Sequence, residues 1–362
     1  MVMVAVLYAG VCQAQSPAAR AQTTRTRAEV EELIQRMGAT QPDWWDSVEL
    51  TYPPTLDLNW PLRPGGKWDA RRNVGQYLWD IINPNPGRWK EGIRLVHHLM
   101  IRHKEDRAKL ARSMQTLGRM FDGLLEDWAR AAFWWRMAEK YGATVDPIRL
   151  AHCYWKLGSK DMAAETLSRI SYDYTRHGAL IKLWADMGEF DRALKLAEAK
   201  AASGMPTIAY LTAGDACRLA GRYKEALAYY RKVLVAKPTA GRENDVKKDR
   251  ERAQASIQAI TLFDTLDLSR VADGTYTASS IAYAGLLHVE VVVKSGRIEA
   301  VRVTRHREKQ FYSALTETPN QILAKQSVKG VDAVTGATMT SEAIINATAK
   351  ALGQGMQKAT GR

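Results

Sequence analysis

Between residues 90 and 260 apolar positions return every three or four residues, the spacing that lines one face of a helix. Past residue 270 the rhythm changes. Residues 274–281 read as a strand, and Leu287, Val289, Val291 and Val293 place one apolar face on a second. Lys294-Ser-Gly-Arg297 is a tight turn into a third strand over 298–305, followed by a short helix expected at 319–326. A loop over 331–338 then leads into an amphipathic helix with Ile344, Ala347, Ala351 and Leu352 on one face. The switch of period predicts a multidomain chain, with all-α helical repeats followed by a small α+β domain. The expected boundaries are 1–22 for an export signal and linker, 23–89 for a Trp/Pro-rich extension, 90–262 for the repeats and 268–358 for the last domain.

The helical stretch has an internal period. Ala131, Ala163, Ala193 and Ala226 fall in equivalent slots, at intervals of 32, 30 and 33 residues by subtraction. The best copy runs from Tyr210 to Pro238, with Gly214 at an expected close helix contact, Gly221 before a turn, and Tyr223, Ala226 and Tyr230 after it. Gly188, Phe190 and Ala193 repeat part of it, Gly158 and Ala163 less, and Trp128, Ala131, Trp135 and Ala138 mark the second helix of another copy. This pattern resembles the tetratricopeptide repeat. Small residues let paired helices approach while aromatics fill the grooves beside them. The resemblance implies stacked helical hairpins and a groove that holds a protein partner.

Ahead of the repeats, Trp44, Trp45, Trp60, Trp68, Trp79 and Trp89 alternate with Pro53-Pro54, Pro61, Pro64-Gly-Gly66 and Asn83-Pro-Asn-Pro-Gly87. Such punctuation predicts turns and short elements, either a pad packed on the first helices or an aromatic docking face. Residues 1–14 form an apolar run ending in small residues, which reads as the end of an export signal although no Lys or Arg precedes Arg20. The expected location is the periplasm or cell envelope.

Composition narrows the function. Apolar residues at 46% and charged residues at 25% describe a folded globular chain. The net charge of +13 raises a nucleic-acid reading, but the densest run, Arg242 to Arg252, interleaves acids with bases as a solvated helix face does. The expectation is therefore no nucleic acid, and an acidic partner or anionic membrane surface instead. Cys153 and Cys217 fall on predicted helices without a CxxC pair, which excludes thiol zinc sites and c-type haem and makes them buried apolar side chains. His97, His98 and His103 have no HExxH frame and are read as structural, with no metal expected.

The last domain carries the chemistry. Asp273-Gly-Thr-Tyr276 opens it, and Asp332-Ala-Val-Thr-Gly-Ala-Thr338 stands before the final helix. In this strand-loop-helix order the segment resembles the FMN-binding domain family, which includes the flavin subunits of sodium-pumping NADH:quinone oxidoreductases and of Rnf-type complexes. The resemblance implies covalent FMN, moved from FAD by a separate flavin transferase onto the hydroxyl of Thr338. Asp332, Thr335, Gly336 and Ala337 would form the recognition loop. Read alone, Thr-Gly-Ala-Thr is also a turn and cap. Thr340 is the candidate N-cap of the following helix and Glu342 falls in its first turn, where a phosphodiester would meet free amides and the positive end of the dipole. Tyr283, Phe311, Tyr312 and Leu323 are candidates for ring contact by position, and His306 and Glu308 fall near a polar stretch of the family. The chain departs from the family pattern at Lys309-Gln-Phe-Tyr312 and Ala282-Tyr-Ala-Gly285.

These readings combine into an exported flavoprotein that exchanges electrons with a redox protein or membrane electron-transfer complex docked by the repeats. A flavin reductase or dehydrogenase with its own small substrate is the enzymatic alternative, though a GxGxxG fingerprint is absent. A repeat scaffold with a non-redox flavin domain is the third.

Overall fold

The computed structural model describes residues 24–61, 69, 73–170, 177–237, 241–309, 312–334 and 337–359. The expected export signal with Cys12, the turn around Gly65 and Gly66 with Trp68, and Phe311, Thr335, Gly336 and Pro238 lie outside these residues. Helix α1 (Arg27–Ala39) opens on a reciprocal cap. The Glu29 amide donates to Thr26 Oγ1 while the Thr26 amide donates to the Glu29 carboxylate.

The Pro- and Trp-rich stretch that follows forms only short elements, among them α2 (Val74–Tyr77). Its described tryptophans pack on the first long helices. Trp60 Nε1 donates to Ser113 Oγ at 2.8 Å, and Trp89 Nε1 donates to the Asn83 carbonyl at 2.9 Å. Only Trp79 among them is largely exposed, at 44%.

Next come α3 (Trp89–Arg102), α4 (Arg107–Met120), α5 (Trp128–Lys140), α6 (Pro147–Lys156) and α7 (Lys160–Ser168). They are followed by α8 (His177–Asp186), α9 (Phe190–Ala202), α10 (Pro206–Leu219), α11 (Tyr223–Val235) and α12 (Glu243–Phe263). Helices α4 to α11 pair in sequence as antiparallel hairpins, and α1 packs on α5. The four alanines of the period are each 0% exposed and sit on α5, α7, α9 and α11, where any larger side chain would push the paired helices apart. Gly158, Gly188 and Gly221 turn three of the hairpins with φ of 97°, 80° and 72°, backbone that only glycine adopts without strain. At Gly214 an added Cβ would stand 2.5 Å from Tyr230 Cε1, so the predicted close approach is real.

His97 is wedged between Trp45 and Trp134, with ring centroids 4.8 and 5.1 Å away. Burial, and secondarily Arg94, pushes its pKa down to about 4. His98 stacks on Tyr52, and His103 Nε2 meets the Leu58 carbonyl at 2.8 Å. Cys153 and Cys217 are buried free thiols.

Beyond α12 the strands β1 (Gly274–Ala282), β2 (Gly285–Lys294) and β3 (Arg297–Arg305) form an antiparallel sheet in the order β1-β2-β3. Leu287, Val289, Val291 and Val293 turn to its inner face, as the alternation requires, and each is at most 1% exposed. Helix α13 (Ala314–Lys325) and the long α14 (Thr338–Ala359) cover that face, α14 with Ile344, Ala347, Ala351 and Leu352 inward. Helix α13 begins five residues before the expected start. Proline favours the first turn of a helix, which sets the expectation, but here Pro319 stands inside and buried, and the helix forgoes the bond its missing N–H would make.

The apolar interior falls into two main clusters. One runs from Val30 to Ala216 and takes in Tyr312; the other begins at Leu211 and passes through α11, α12 and the sheet to Leu352 of α14. The last repeat and the α+β domain therefore share one core. Among the described residues no helix is long and apolar enough to cross a membrane.

Candidate functional site between the repeats and the last domain

The loop before α14 is held by bonds to its own amides. Asp332 N donates to Gln321 Oε1 at 3.0 Å, Val334 N donates to Ser341 Oγ at 3.0 Å, and Ala337 N donates to the Val334 carbonyl at 2.9 Å. Ala314, Val334 and Ala337 pack together beneath it. Ser341 N then donates to the Ala337 carbonyl at 3.0 Å, the first helical bond. The helix therefore starts at Thr338, with Ala337 in the capping position.

This corrects the expected cap. Thr340 lies within the first turn at 4% exposure, and Glu342 belongs to the second turn, buried at 5%. The helix starts three residues earlier than a Thr340 cap would allow, because the Ser341 amide already bonds the Ala337 carbonyl. Thr338 itself becomes the first helical residue, beside amides that lack intrahelical acceptors.

Thr338 lines a cleft of about 310 Å³ between the last domain and the repeats. Ala337, Met339 and Thr340 share its near wall, while Asp122, Arg149 and His152, Lys182 of α8 and Arg252 of α12 form the far one. A second hollow of about 630 Å³ adjoins it, sharing Ile208, Arg252, Tyr283 and Met339. Both volumes lie within the roughly 300–1,000 Å³ typical of small-molecule sites.

Against this geometry, two family matches are informative: residues 282–353 match the FMN-binding domain, and residues 208–239 match the tetratricopeptide repeat. The chain joins an FMN-binding domain to tetratricopeptide repeats. The first match supports a flavoprotein whose cofactor is FMN, and the second supports a role in binding proteins. An uncharacterized protein of Treponema pallidum (strain Nichols) is 43% identical over 84 residues, which is 23% of this chain and 23% of that protein. No solved structure gives a significant match.

The cleft fits a flavin on its own chemistry. Asp122, Asp146, Asp215 and Glu308 line it together with Arg149, Lys182 and Arg252, so its charge is close to balanced. Balanced walls suit an uncharged ring better than a polyphosphate. Two buried polar atoms of residues that line the cleft have no hydrogen-bond partner, His152 Nε2 and Asp122 Oδ1. A buried polar atom left unpaired costs about 1–3 kcal/mol, which a polar ligand would offset.

Asp332 faces a cation from the repeats. Burial raises its pKa, and the Lys182 ammonium opposes that rise. Burial likewise pulls Lys182 down, but Asp186, which accepts its hydrogen bond, and then Asp332 outweigh burial and hold the ammonium protonated. Deeper in the seam Arg252 lies 3.3 Å from Glu342 and 3.6 Å from Asp215, whose Oδ1 accepts from Tyr230 Oη at 2.8 Å. Burial first, and the neighbouring Glu342 second, raise Asp215 well above the usual carboxylate range.

The ring-contact candidates separate. Tyr283, 65% exposed, stands on the rim of both hollows. Tyr312 is buried against Trp89, ring centroids 5.1 Å apart, and Leu323 packs into the domain's own core. Glu308 lines the cleft and pins the β1–β2 turn by accepting from Ala284 N at 3.1 Å, whereas His306 is exposed. Lys182, Asp215, Arg252 and the Asp122 cluster were missed from sequence. Arg252 sits in the charge run expected to be a solvated face, yet that run turns Val246, Asp249 and Arg252 inward. The one available signal was the i, i+3 spacing of those three residues.

Proposed function

We propose that the protein is an exported flavoprotein that carries FMN through a phosphoester on Thr338 and exchanges electrons with a protein partner. The observation that carries this reading is the position of Thr338: a hydroxyl at the first residue of α14, opening on a cleft with two unpaired buried polar atoms. A flavin transferase would supply the attachment. There Thr338 Oγ1 would attack the riboflavin-side phosphorus of FAD, forming the P–O bond to threonine while the bond to AMP breaks and AMP leaves with the electron pair. The threonine proton would pass to a base of the transferase.

Bound FMN supplies the capacity to accept and release one or two electrons. The chain's own groups do the rest. The free amides at the start of α14 favour the phosphodiester, an effect worth about 0.3–1 kcal/mol when exposed. The balanced walls favour the neutral ring, and Tyr283 offers an aromatic face at the rim. A cofactor fixed by a covalent bond cannot diffuse away outside the cytoplasm, in keeping with the apolar run at residues 1–14. The repeats and the net charge of +13 favour an acidic redox protein or an anionic membrane surface as the place of docking.

The test compares wild type with Thr338→Ala, each isolated from the native cell envelope. Denaturing electrophoresis under ultraviolet light and intact mass should show a fluorescent, heavier wild type and a dark variant of peptide mass alone. A wild-type protein weighing only what its mature chain predicts would sink the reading.

A further inference from the structure

The far wall of the cleft belongs to the repeats. Asp122, which precedes α5, is 3% exposed and receives a hydrogen bond from Arg149 Nη1 on Oδ2 at 3.1 Å. His152 of α6 places Nδ1 3.5 Å from Asp122 Oδ1, a buried oxygen without a hydrogen-bond partner, so Nδ1 is the ring nitrogen that faces the carboxylate. In a neutral imidazole facing a carboxylate the proton sits on Nδ1, and Nε2 keeps its lone pair. That nitrogen belongs to a residue 8% exposed, lines the cleft, and has no hydrogen-bond partner. Gly178 lines the same cleft without a side chain, and a Cβ added there would meet only Thr212 Oγ1 at 3.6 Å, so that part of the wall is open.

An oriented, buried acceptor with open space before it asks for a donor. Thr338 lines the same cleft. We propose that His152 is a flavin-binding residue, its Nε2 accepting a hydrogen bond from the flavin group on Thr338, so that the repeats form one wall of the cofactor site. The inference rests on the Thr338 reading above. A flavin carries suitable donors in its ring imide and its ribityl hydroxyls, and the near-neutral lining suits both. The repeats then serve the cofactor directly, in addition to any protein they bind, and Asp122 acts as a positioning residue that fixes the tautomer of the histidine.

The experiment uses full-length protein flavinylated in its native envelope, in wild-type, His152→Phe, His152→Gln and Asp122→Asn forms. Intact mass is read first, then the visible absorption band and the flavin fluorescence of the native protein. All four should keep the attached mass. His152→Phe should shift the absorption band and raise fluorescence severalfold as the flavin loosens into water. His152→Gln, whose amide oxygen also accepts, should stay close to wild type. Asp122→Asn keeps an oxygen for Arg149 but offers an N–H to Nδ1, moving the ring proton to Nε2; it should behave like His152→Phe, and it tests the same point should that variant not fold. Flavinylated Asp122→Asn with wild-type absorption and fluorescence would overturn the assignment and leave Thr338 attachment standing. A wild type without added mass would remove both.

Discussion

The contacts inside the hairpins are made by size, and the seam to the FMN-binding domain adds buried ions to a shared apolar core. Inside the hairpins, Ala131, Ala163, Ala193 and Ala226 are sealed by size alone, and Gly214 lies under the Tyr230 ring. Across the seam, α10 and α12 meet α14 through Asp215, Arg252 and Glu342, with Arg218 Nη1 donating to Asn346 Oδ1 at 3.0 Å. A contact made by size degrades gradually when altered. One made by buried ions fails sharply when a single member is removed, because the survivors keep the cost of leaving water.

The largest expected effect therefore belongs to Arg252. Arg252→Met removes the cation between two buried carboxylates, and unfolding in denaturant should show a loss of about 3–5 kcal/mol, the range for stripping one partner from a buried pair. Adding Asp215→Asn should recover part of that loss by removing one of the unpaired acids. A single variant as stable as wild type would mean that the seam is held by its apolar contacts alone.

Gly214→Ala tests the other side of the comparison. The new Cβ would stand 2.5 Å from Tyr230 Cε1, so the ring or α11 must shift. Overpacking of this kind costs about 1–3 kcal/mol. The loss should appear in the unfolding midpoint.

The same contrast explains what the sequence made legible. Hairpins and sheet follow from periods of 3.6 and 2, which are local: the inward set Leu287, Val289, Val291 and Val293 could be read directly, as could Gly214, Gly221 and the four alanines. Residues 332 to 338 stood out because their chemistry is concentrated in one loop. The far wall of the cleft is assembled from Asp122, His152, Lys182 and Arg252, residues from four separate elements whose meeting depends on how the repeats stack. No local pattern encodes that stacking. Arg252 was hidden further by its neighbours, for an inward arginine in a run of alternating charges has the same composition as an outward one. The start of α14 was misplaced for a related reason: Thr340 is a good cap by type, but the Ser341 amide bonds the Ala337 carbonyl, which a residue-type rule cannot foresee.

The smallest effect, and the most specific to the seam, concerns a proton. Asp215 of α10 faces Glu342 from α14, Arg252 from α12 and Tyr230 from α11. Its pKa in the folded protein is raised, first by burial and then by Glu342. Below the unfolded value, about 3.9 for an aspartate, both states hold the proton and the contribution is fully present. As pH rises past that value the unfolded chain releases its proton first, so it binds fewer than the folded chain and stability falls until the folded group also ionises. Asparagine mimics the protonated acid, keeping an oxygen for the Tyr230 hydroxyl. Asp215→Asn should therefore lie within about 1 kcal/mol of wild type in acid, the scale of one hydrogen bond. Its advantage should grow as pH rises above the carboxylate range. Parallel stability curves for the two proteins from pH 4 to pH 8 would show that Asp215 ionises normally, and that Arg252 alone balances the two acids.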